Sequence, residues 1–256
     1  MQSDSPLIFV TNDDGISAKG ILTLYEAVKG FGEVVIVAPD SPQSGMGHAI
    51  TIHDPLRLHH TELFPGETAF SCSGTPVDCV KLGIYEVMKR KPDLLVSGIN
   101  HGANTATNVL YSGTMSAAVE GAMEGIPSIG FSLGDFDADA DFSDAEKVVK
   151  TIVQQVLENG LEKGVCLNVN VPDPNKGSVQ GIKVCRQAHA YWADRFDSRE
   201  DQFGKPYYWL TGDFVDADVD TDTDLHWIAK GYATVVPTQF DMTSYSAIKD
   251  LENWKL

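Results

Sequence analysis

Two adjacent carboxylates, Asp13 and Asp14, follow the apolar run Pro6-Leu-Ile-Phe-Val-Thr11 and precede Gly15. In a regular strand they would face opposite ways, but a turn can aim both at one hard cation. Ser44 and Asn100 supply two further oxygen donors from the polar segments Ser41 to His48 and Gly98 to Ser112. A cation held by such a set would neutralise phosphate oxygens and activate water, which is the chemistry of phosphate-ester hydrolysis. The plainer alternative for the Asp pair is an aspartate turn plus a helix N-cap.

A phosphate also needs hydrogen-bond donors. Ser112-Gly113-Thr114 stands directly before a small-residue helical stretch, where free backbone amides and two hydroxyls form a phosphate cradle. Taken alone, the same tripeptide is equally well a plain N-cap with a tight turn. Gly45 and Gly47 let the backbone on either side of Met46 approach an anion closely, with Asn12, Asn104 and the two histidines as further candidates. His48 and His101 each have two readings, an anion donor or acid/base on one side and a structural histidine on the other. The first strand is not followed by GxGxxG, the chain has no GxxxxGK[ST], and Ser112 lacks the G-x-S-x-G spacing of a nucleophile elbow, so dinucleotide and nucleoside-triphosphate loops are unsupported and a serine-hydrolase reading of Ser112 is weakened.

Positioning these loops requires a particular framework. Pro6 to Thr11, Val34 to Ala38, Asp93 to Ser97, Pro127 to Leu133 and Val165 to Val171 are short, β-branched apolar runs that read as buried strands. Between them, helical spacing predicts helices over Lys19 to Val28, from Pro76 to Met88 with Thr75 as cap and Asp78 accepting early amides, over Ser112 to Glu124, and over Asp144 to Leu157. Ile50 to Ile52 and Leu56 to Leu58 read as short extended pieces. This alternation predicts an α/β fold, a Rossmann-like three-layer, mostly parallel sheet with helices on both faces and ligand loops at the strands' carboxyl ends. Past Pro172 an aromatic-rich interval from Tyr191 to Phe214 reads as antiparallel hairpin, and Thr223 to Leu256 as a short helix, a strand over Tyr232 to Val236 and a weak terminal helix. The expected division is a core over 1–172, a hairpin extension over 173–222 and a C-terminal segment over 223–256.

The chain has 256 residues and a formal charge of −17, which repels polyanions at long range and argues against duplex nucleic acid as a partner. Four scattered cysteines without a CxxC pattern read as core thiols in a reducing compartment, and no long apolar span is evident. A cytoplasmic, membrane-free protein is expected. Two aspartate-rich stretches, Asp135 to Asp144 and Asp213 to Asp224, suggest calcium at first sight; the second lacks the central glycine and terminal glutamate of an EF-hand, and both read as solvated acidic loops.

At these residues the chain resembles the stationary-phase survival protein E family of 5'-nucleotidases. The motifs are Val10-Thr-Asn-Asp-Asp-Gly-Ile16, Ala38-Pro-Asp with Gln43-Ser-Gly and Gly47-His48, Gly74-Thr-Pro-Val-Asp-Cys-Val80, Ser97-Gly-Ile-Asn100 and Tyr111-Ser-Gly-Thr114. Lys205-Pro-Tyr-Tyr-Trp209, Thr221-Asp-Thr-Asp224 and Gly231-Tyr232 extend the likeness to nearly the full length. The resemblance implies a divalent-metal phosphomonoesterase that hydrolyses nucleoside 5'-monophosphates, with 3'-nucleotides and short polyphosphate used by some similar proteins. It implies Asp13, Asp14, Ser44 and Asn100 as ligands to one Mg2+ or Mn2+ per subunit. Gly45 to Gly47, Asn104, Ser112, Gly113 and Thr114 match the loops expected around phosphate. Direct attack of metal-activated water, with Asp13 orienting or deprotonating it, is the mechanism expected. Related folds form dimers or tetramers with exchanged C-terminal elements, so a homodimer or homotetramer is expected. One departure is Asn108, where many similar proteins carry an acidic residue. A broad-specificity acid phosphatase or exopolyphosphatase on the same site, and a noncatalytic metal-dependent nucleotide sensor, are the competing readings.

Overall fold

The computed structural model describes residues 5–254, so the expected segment ends at 1–4 and 255–256 lie outside the described residues. Strand β1 (Leu7–Thr11) is buried along its whole length because both its faces are covered. Ile8 and Val10 enter one core with Ile36 and Val96, while Phe9 enters the other with Val37 and Leu95. That two-sided burial explains why the strand is a continuous apolar run and not an alternating one.

The remaining strands are β2 (Glu33–Pro39), β3 (Leu58–His60), β4 (Thr68–Cys72), β5 (Leu94–His101), β6 (Ser128–Leu133), β7 (Val165–Val171), β8 (Ile182–Val184), β9 (Ala190–Glu200), β10 (Pro206–Asp216) and β11 (Ala233–Gln239). Among the described residues eight of them join β1 in one nine-stranded sheet, in the order β3-β4-β2-β1-β5-β6-β7-β11-β8. From β4 to β7 every neighbouring pair is parallel, and β3 and β11 run antiparallel to β4 and β7. Helices α1 (Lys19–Val28) and α4 (Ser143–Asn159) cover one face through Ile21, Leu24, Val28, Val148, Val149 and Val153. Helices α2 (Pro76–Leu82) and α3 (Gly113–Met123) cover the other through Cys79, Val80 and Ala117. Each large aliphatic side chain so buried is worth about 1.5 to 3 kcal/mol of transfer free energy. The three-layer, mostly parallel architecture is the one expected.

Local departures have identifiable causes. Strand β4, Thr-Ala-Phe-Ser-Cys, carries no strong apolar signal and was not expected; it pairs parallel to β2. The segment Ile50 to Arg57 is not a strand, since Thr51 donates from both its amide and hydroxyl to Asp78 at 3.1 and 2.6 Å instead of joining a ladder. Asp78 also completes the expected capping box with Thr75. The helix expected to run to Met88 is α-helical only to Leu82 and continues as a π-helical turn, Gly83–Met88, whose glycine rests on the Phe9 ring: a methyl there would lie 2.4 Å from it. The glycine/asparagine stretch expected as loop from Gly98 continues β5 to His101, with its register against β6 shifting between Ser97 and Asn100. At Gly20 a methyl would meet the Ile99 carbonyl oxygen at 2.0 Å, so the absent side chain is what lets α1 approach the end of β5.

Beyond the core, β9 and β10 form one eleven-residue antiparallel hairpin. Strand β11 lies between β7 and β8 of its own chain, and is preceded by the short helix α5 (Asp224–Ala229) and followed by α6 (Tyr245–Leu251). The acidic stretch from Asp213 is organised by an internal cation: Arg186 pairs with Asp218 at 2.7 Å and with Asp220 and Asp222 at 3.0 Å. In the other stretch Asp135, Asp137 and Asp141 each accept the amide two residues ahead, at 2.9 Å. No helix among the described residues is long and apolar enough to cross a membrane.

Candidate active site

At the carboxyl end of β1 the chain turns through Asn12 to Gly15, and three other segments are tied to that turn. The Asn12 amide nitrogen donates to the Gly15 carbonyl at 2.9 Å, which closes the turn. The Asp13 carbonyl accepts from the Gln43 amide at 2.7 Å, placing Ser44 one residue from this contact. Asp14 Oδ2 accepts from the His101 amide at 3.2 Å, drawing in the end of β5. Asp13 Oδ1 accepts from the fully buried Thr114 hydroxyl, and so joins the first turn of α3. The expected convergence of Asn12 to Gly15, Ser41 to His48 and Gly98 to Ser112 is therefore built from hydrogen bonds.

Gly113 completes this arrangement by what it lacks. A β-carbon there would lie 2.7 Å from Asp13 Cβ and 2.8 Å from its Oδ2, so the carboxylate sits in the space a side chain would fill. Burial, reinforced by the Asp14 charge and opposed by the Thr114 hydrogen bond, raises Asp13 to about 6. Burial likewise pushes Asp14 up against the His101 amide. Neither carboxylate forms an ion pair among the described residues. Beside them, the Thr11 and Ser97 hydroxyls, which are in register across β1 and β5, and Asn12 Oδ1 are buried without hydrogen-bond partners.

These features fit a hard divalent cation. Two desolvated carboxylates without a basic partner and three orphaned buried oxygens make a pocket that wants positive charge. The Asn100 amide nitrogen donates to the His101 and Gly102 carbonyls at 3.2 and 2.7 Å, leaving its Oδ1 as the atom able to serve as a ligand. Ser44 is exposed on its loop. Among the described residues no group of three or more His, Cys, Asp or Glu could hold a metal, and the candidate set has only two carboxylates, completed by a hydroxyl and an amide.

The expected phosphate loops divide. Gly45 and Gly47 both have positive φ, +72° and +57°, which glycine adopts without strain, and the Gly47 amide donates to the Tyr111 carbonyl at 3.2 Å. Met46 is exposed between them. Ser112 is the N-cap of α3, its hydroxyl accepting from the Met115 amide at 3.1 Å, and the Thr114 backbone turns to the Asp13 carboxylate, so of the first-turn amides Gly113 is the one left for an anion among the described residues. Asn104 is tied into the sheet through its backbone amide and its side-chain nitrogen. It is buried, with its amide donating to Asn170 Oδ1 at 2.7 Å and its side chain to Ser132 at 2.8 Å, and it anchors the loop to β6 and β7. His101 turns its ring inward, edge-on to Phe142 at 5.2 Å between centroids, and contributes its backbone amide.

His48 has a partner that its sequence position did not disclose. Its Nε2 lies 2.8 Å from Glu120 of α3, a buried carboxylate that Lys81 of α2 also contacts. Burial works to raise the Glu120 carboxyl, and the His48 and Lys81 hydrogen bonds outweigh it and hold the group below its usual range. The signal available was a single acid in the otherwise small-residue run Ser116-Ala-Ala-Val-Glu120-Gly-Ala. Because the folded-state value is depressed, the stabilisation is present above the unfolded value and is lost as pH falls through the folded one. Glu120→Gln is expected to cost about 1 to 2 kcal/mol at pH 7 and progressively less below pH about 4.5, checked by urea unfolding at both ends of that range.

The sequence profile of the family described as Survival protein SurE matches residues 8–194 of this framework and site. The chain belongs to the SurE family. It is 56% identical over 258 residues to the 5'-nucleotidase SurE of Christiangramia forsetii, covering 100% of this chain and 99% of that protein. It is 45% identical over 257 residues to the 5'-nucleotidase SurE of Bacteroides fragilis, covering all of both. The crystal structure of the Sure protein from Aquifex aeolicus superposes with a TM-score of 0.83 at 38% identity, over 96% of this chain and 98% of that one. The SurE-family match thus spans the Asp13-Asp14 turn, both glycine loops and the start of α3.

Proposed function

We propose that the chain is a divalent-metal-dependent phosphomonoesterase that hydrolyses nucleoside 5'-monophosphates to nucleoside and inorganic phosphate. The observation that carries this reading is the desolvated Asp13-Asp14 pair packed against the side-chain-free Gly113 at the start of α3, within a chain similar to proteins named 5'-nucleotidases. Asp13, Asp14, Ser44 and Asn100 would hold one Mg2+ or Mn2+ per subunit. Such a cation supplies neutralisation of phosphoryl charge and a lowered pKa for water.

The chain's own groups account for the rest. The backbone amide of Gly113, with the positive-φ backbone at Gly45, would face developing charge on the phosphoryl oxygens. Thr114 occupies Asp13 Oδ1, so Oδ2, uncovered by Gly113, is the atom that orients the attacking water and accepts its proton. Direct attack by water is favoured over a covalent intermediate because the local hydroxyls are unsuited: Thr114 is 0% exposed, and Ser112 is committed to its cap. Uncovered aromatic side chains on the hairpin, Tyr191, Tyr207 and Trp209, and a helix α6 without buried residues support a homodimer or homotetramer, which native mass reads directly. Four free thiols support a cytoplasmic setting.

The test is phosphate release from a panel of 5'- and 3'-nucleoside monophosphates, ribose 5-phosphate and tripolyphosphate. A nucleotidase shows kcat/KM for 5'-nucleotides at least about tenfold above the base-free ester, since binding of the nucleoside is used in the transition state. Equal efficiency on all esters would favour the broad phosphatase, and tight nucleotide binding without turnover the sensor.

A further inference from the structure

A cleft of about 520 Å3 beside the site is not used by the chemistry above; it is lined by Tyr111, Trp192, Asp194, Leu210, Thr211 and Gly212. In the hairpin register Trp192 faces Phe214, Asp194 faces Gly212 and Phe196 faces Leu210, so these residues share one face of the ribbon. A β-carbon at Gly212 would lie 2.7 Å from the Ala193 carbonyl oxygen, so the two strands pack closely there. The Trp192 indole is fixed on two sides: its N–H donates to Asn108 Oδ1 at 2.8 Å, and its ring packs against Phe214 at 5.2 Å between centroids. It is nonetheless 45% exposed, and Tyr111 is 62% exposed. Tyr111 also connects the cleft to the phosphate loops, since it immediately precedes the Ser112 cap and its carbonyl accepts from Gly47. A larger cavity of about 790 Å3, lined by Asp173, Trp227 and Tyr232 among others, includes none of Asp13, Asp14, Ser44 or Asn100.

We propose that the Tyr111–Trp192 cleft binds the nucleobase of the substrate, stacked on the Trp192 indole, and that Asp194 selects bases presenting N–H donors, guanine foremost. The inference rests on the nucleotide reading of the Asp13-Asp14 site. Planar bases stack on aromatic side chains whatever their identity, so the indole supplies affinity and not discrimination. An ionised carboxylate is acceptor-only. Guanine presents two adjacent donors to it, N1–H and the N2 amino group, whereas adenine presents the N6 amino group beside an acceptor nitrogen. Asn108, in turn, is a positioning residue that acts through the indole.

The experiment measures kcat/KM for GMP, AMP and ribose 5-phosphate with the full-length protein and with Trp192→Ala, Trp192→Phe and Asp194→Asn. In parallel, guanosine is titrated into metal-free protein while tryptophan emission is followed. The GMP to ribose 5-phosphate ratio is expected to fall about tenfold or more in Trp192→Ala, chiefly through KM, and to be largely retained in Trp192→Phe, which keeps an aromatic ring. Asp194→Asn is expected to bring GMP down to the level of AMP. Guanosine is expected to quench emission in the wild type and not in Trp192→Phe. Unchanged ratios across the variants, or quenching that survives Trp192→Phe, would overturn the proposal. A wild type that hydrolyses no nucleotide would sink the nucleotidase reading instead, and the guanosine titration would still decide the cleft.

Discussion

Asp14→Ala is expected to lower metal-dependent phosphate release by about a thousandfold or more, equivalent to about 4 kcal/mol of transition-state stabilisation, with the fold retained. The retained fold follows from the position of the residue. Asp14 is not in the core, its side chain's one hydrogen bond among the described residues is with the His101 amide, and burial already acts against its charge. Removing it therefore relieves a desolvated charge while leaving a single amide to find water. The lost activity follows from the small donor set, in which two carboxylates carry all the negative charge offered to a cation. Far-ultraviolet circular dichroism and the urea midpoint would be measured beside the assay. A variant as stable as the wild type and as active would mean that the Asp pair is the plain turn that the sequence also allowed.

Asp224→Ala is expected to lower stability by about 3 kcal/mol. Asp224 is 0% exposed and accepts three backbone amides: Ala106 at 2.9 Å, Ala188 at 2.9 Å and Leu225 at 2.8 Å. Burial raises its pKa despite these bonds, so the charged form is held at a cost that only its amide partners offset. Alanine leaves the three amides unpaired in the interior and unfastens the loop of Ala106 from the base of the hairpin. Asp224→Asn keeps an acceptor and is expected to lose about 1 kcal/mol. Urea unfolding of both variants checks the ranking; equal stabilities would show that the carboxylate is not the fastening. Because Ala106 opens the 3-10 turn Ala106–Tyr111 that leads to Ser112, the alanine variant should also lose activity.

The central strands and the two outer helices were legible because their signals are local. Leu7–Thr11 is apolar throughout because both its faces are covered, and Val148, Val149, Ile152 and Val153 mark the inner stripe of α4 at helical spacing. The carboxylate turn was legible for the same reason, being two adjacent residues at a strand end. What escaped notice depends on partners distant in the chain. Strand β4 is recognisable only beside β2, whereas β11 was legible as a strand over Tyr232 to Val236 and only its place between β7 and β8 was not. The buried amide network that joins Asn104 to Asn168, Asn170 and Ser132 leaves no trace in its own neighbourhood. His48 needed Glu120, 72 residues away, and Asn108 needed Trp192, 84 residues away. The aspartates around Arg186 imitated a cation site until the cation proved to be a side chain.

The most direct test of the account is phosphate release from a nucleoside 5'-monophosphate by protein stripped with chelator and then titrated with Mn2+ or Mg2+. The account predicts negligible turnover after stripping and recovery that saturates at one cation per subunit, with no recovery in Asp14→Ala. Full turnover in the stripped protein, or restoration to the same level in Asp14→Ala, would contradict it.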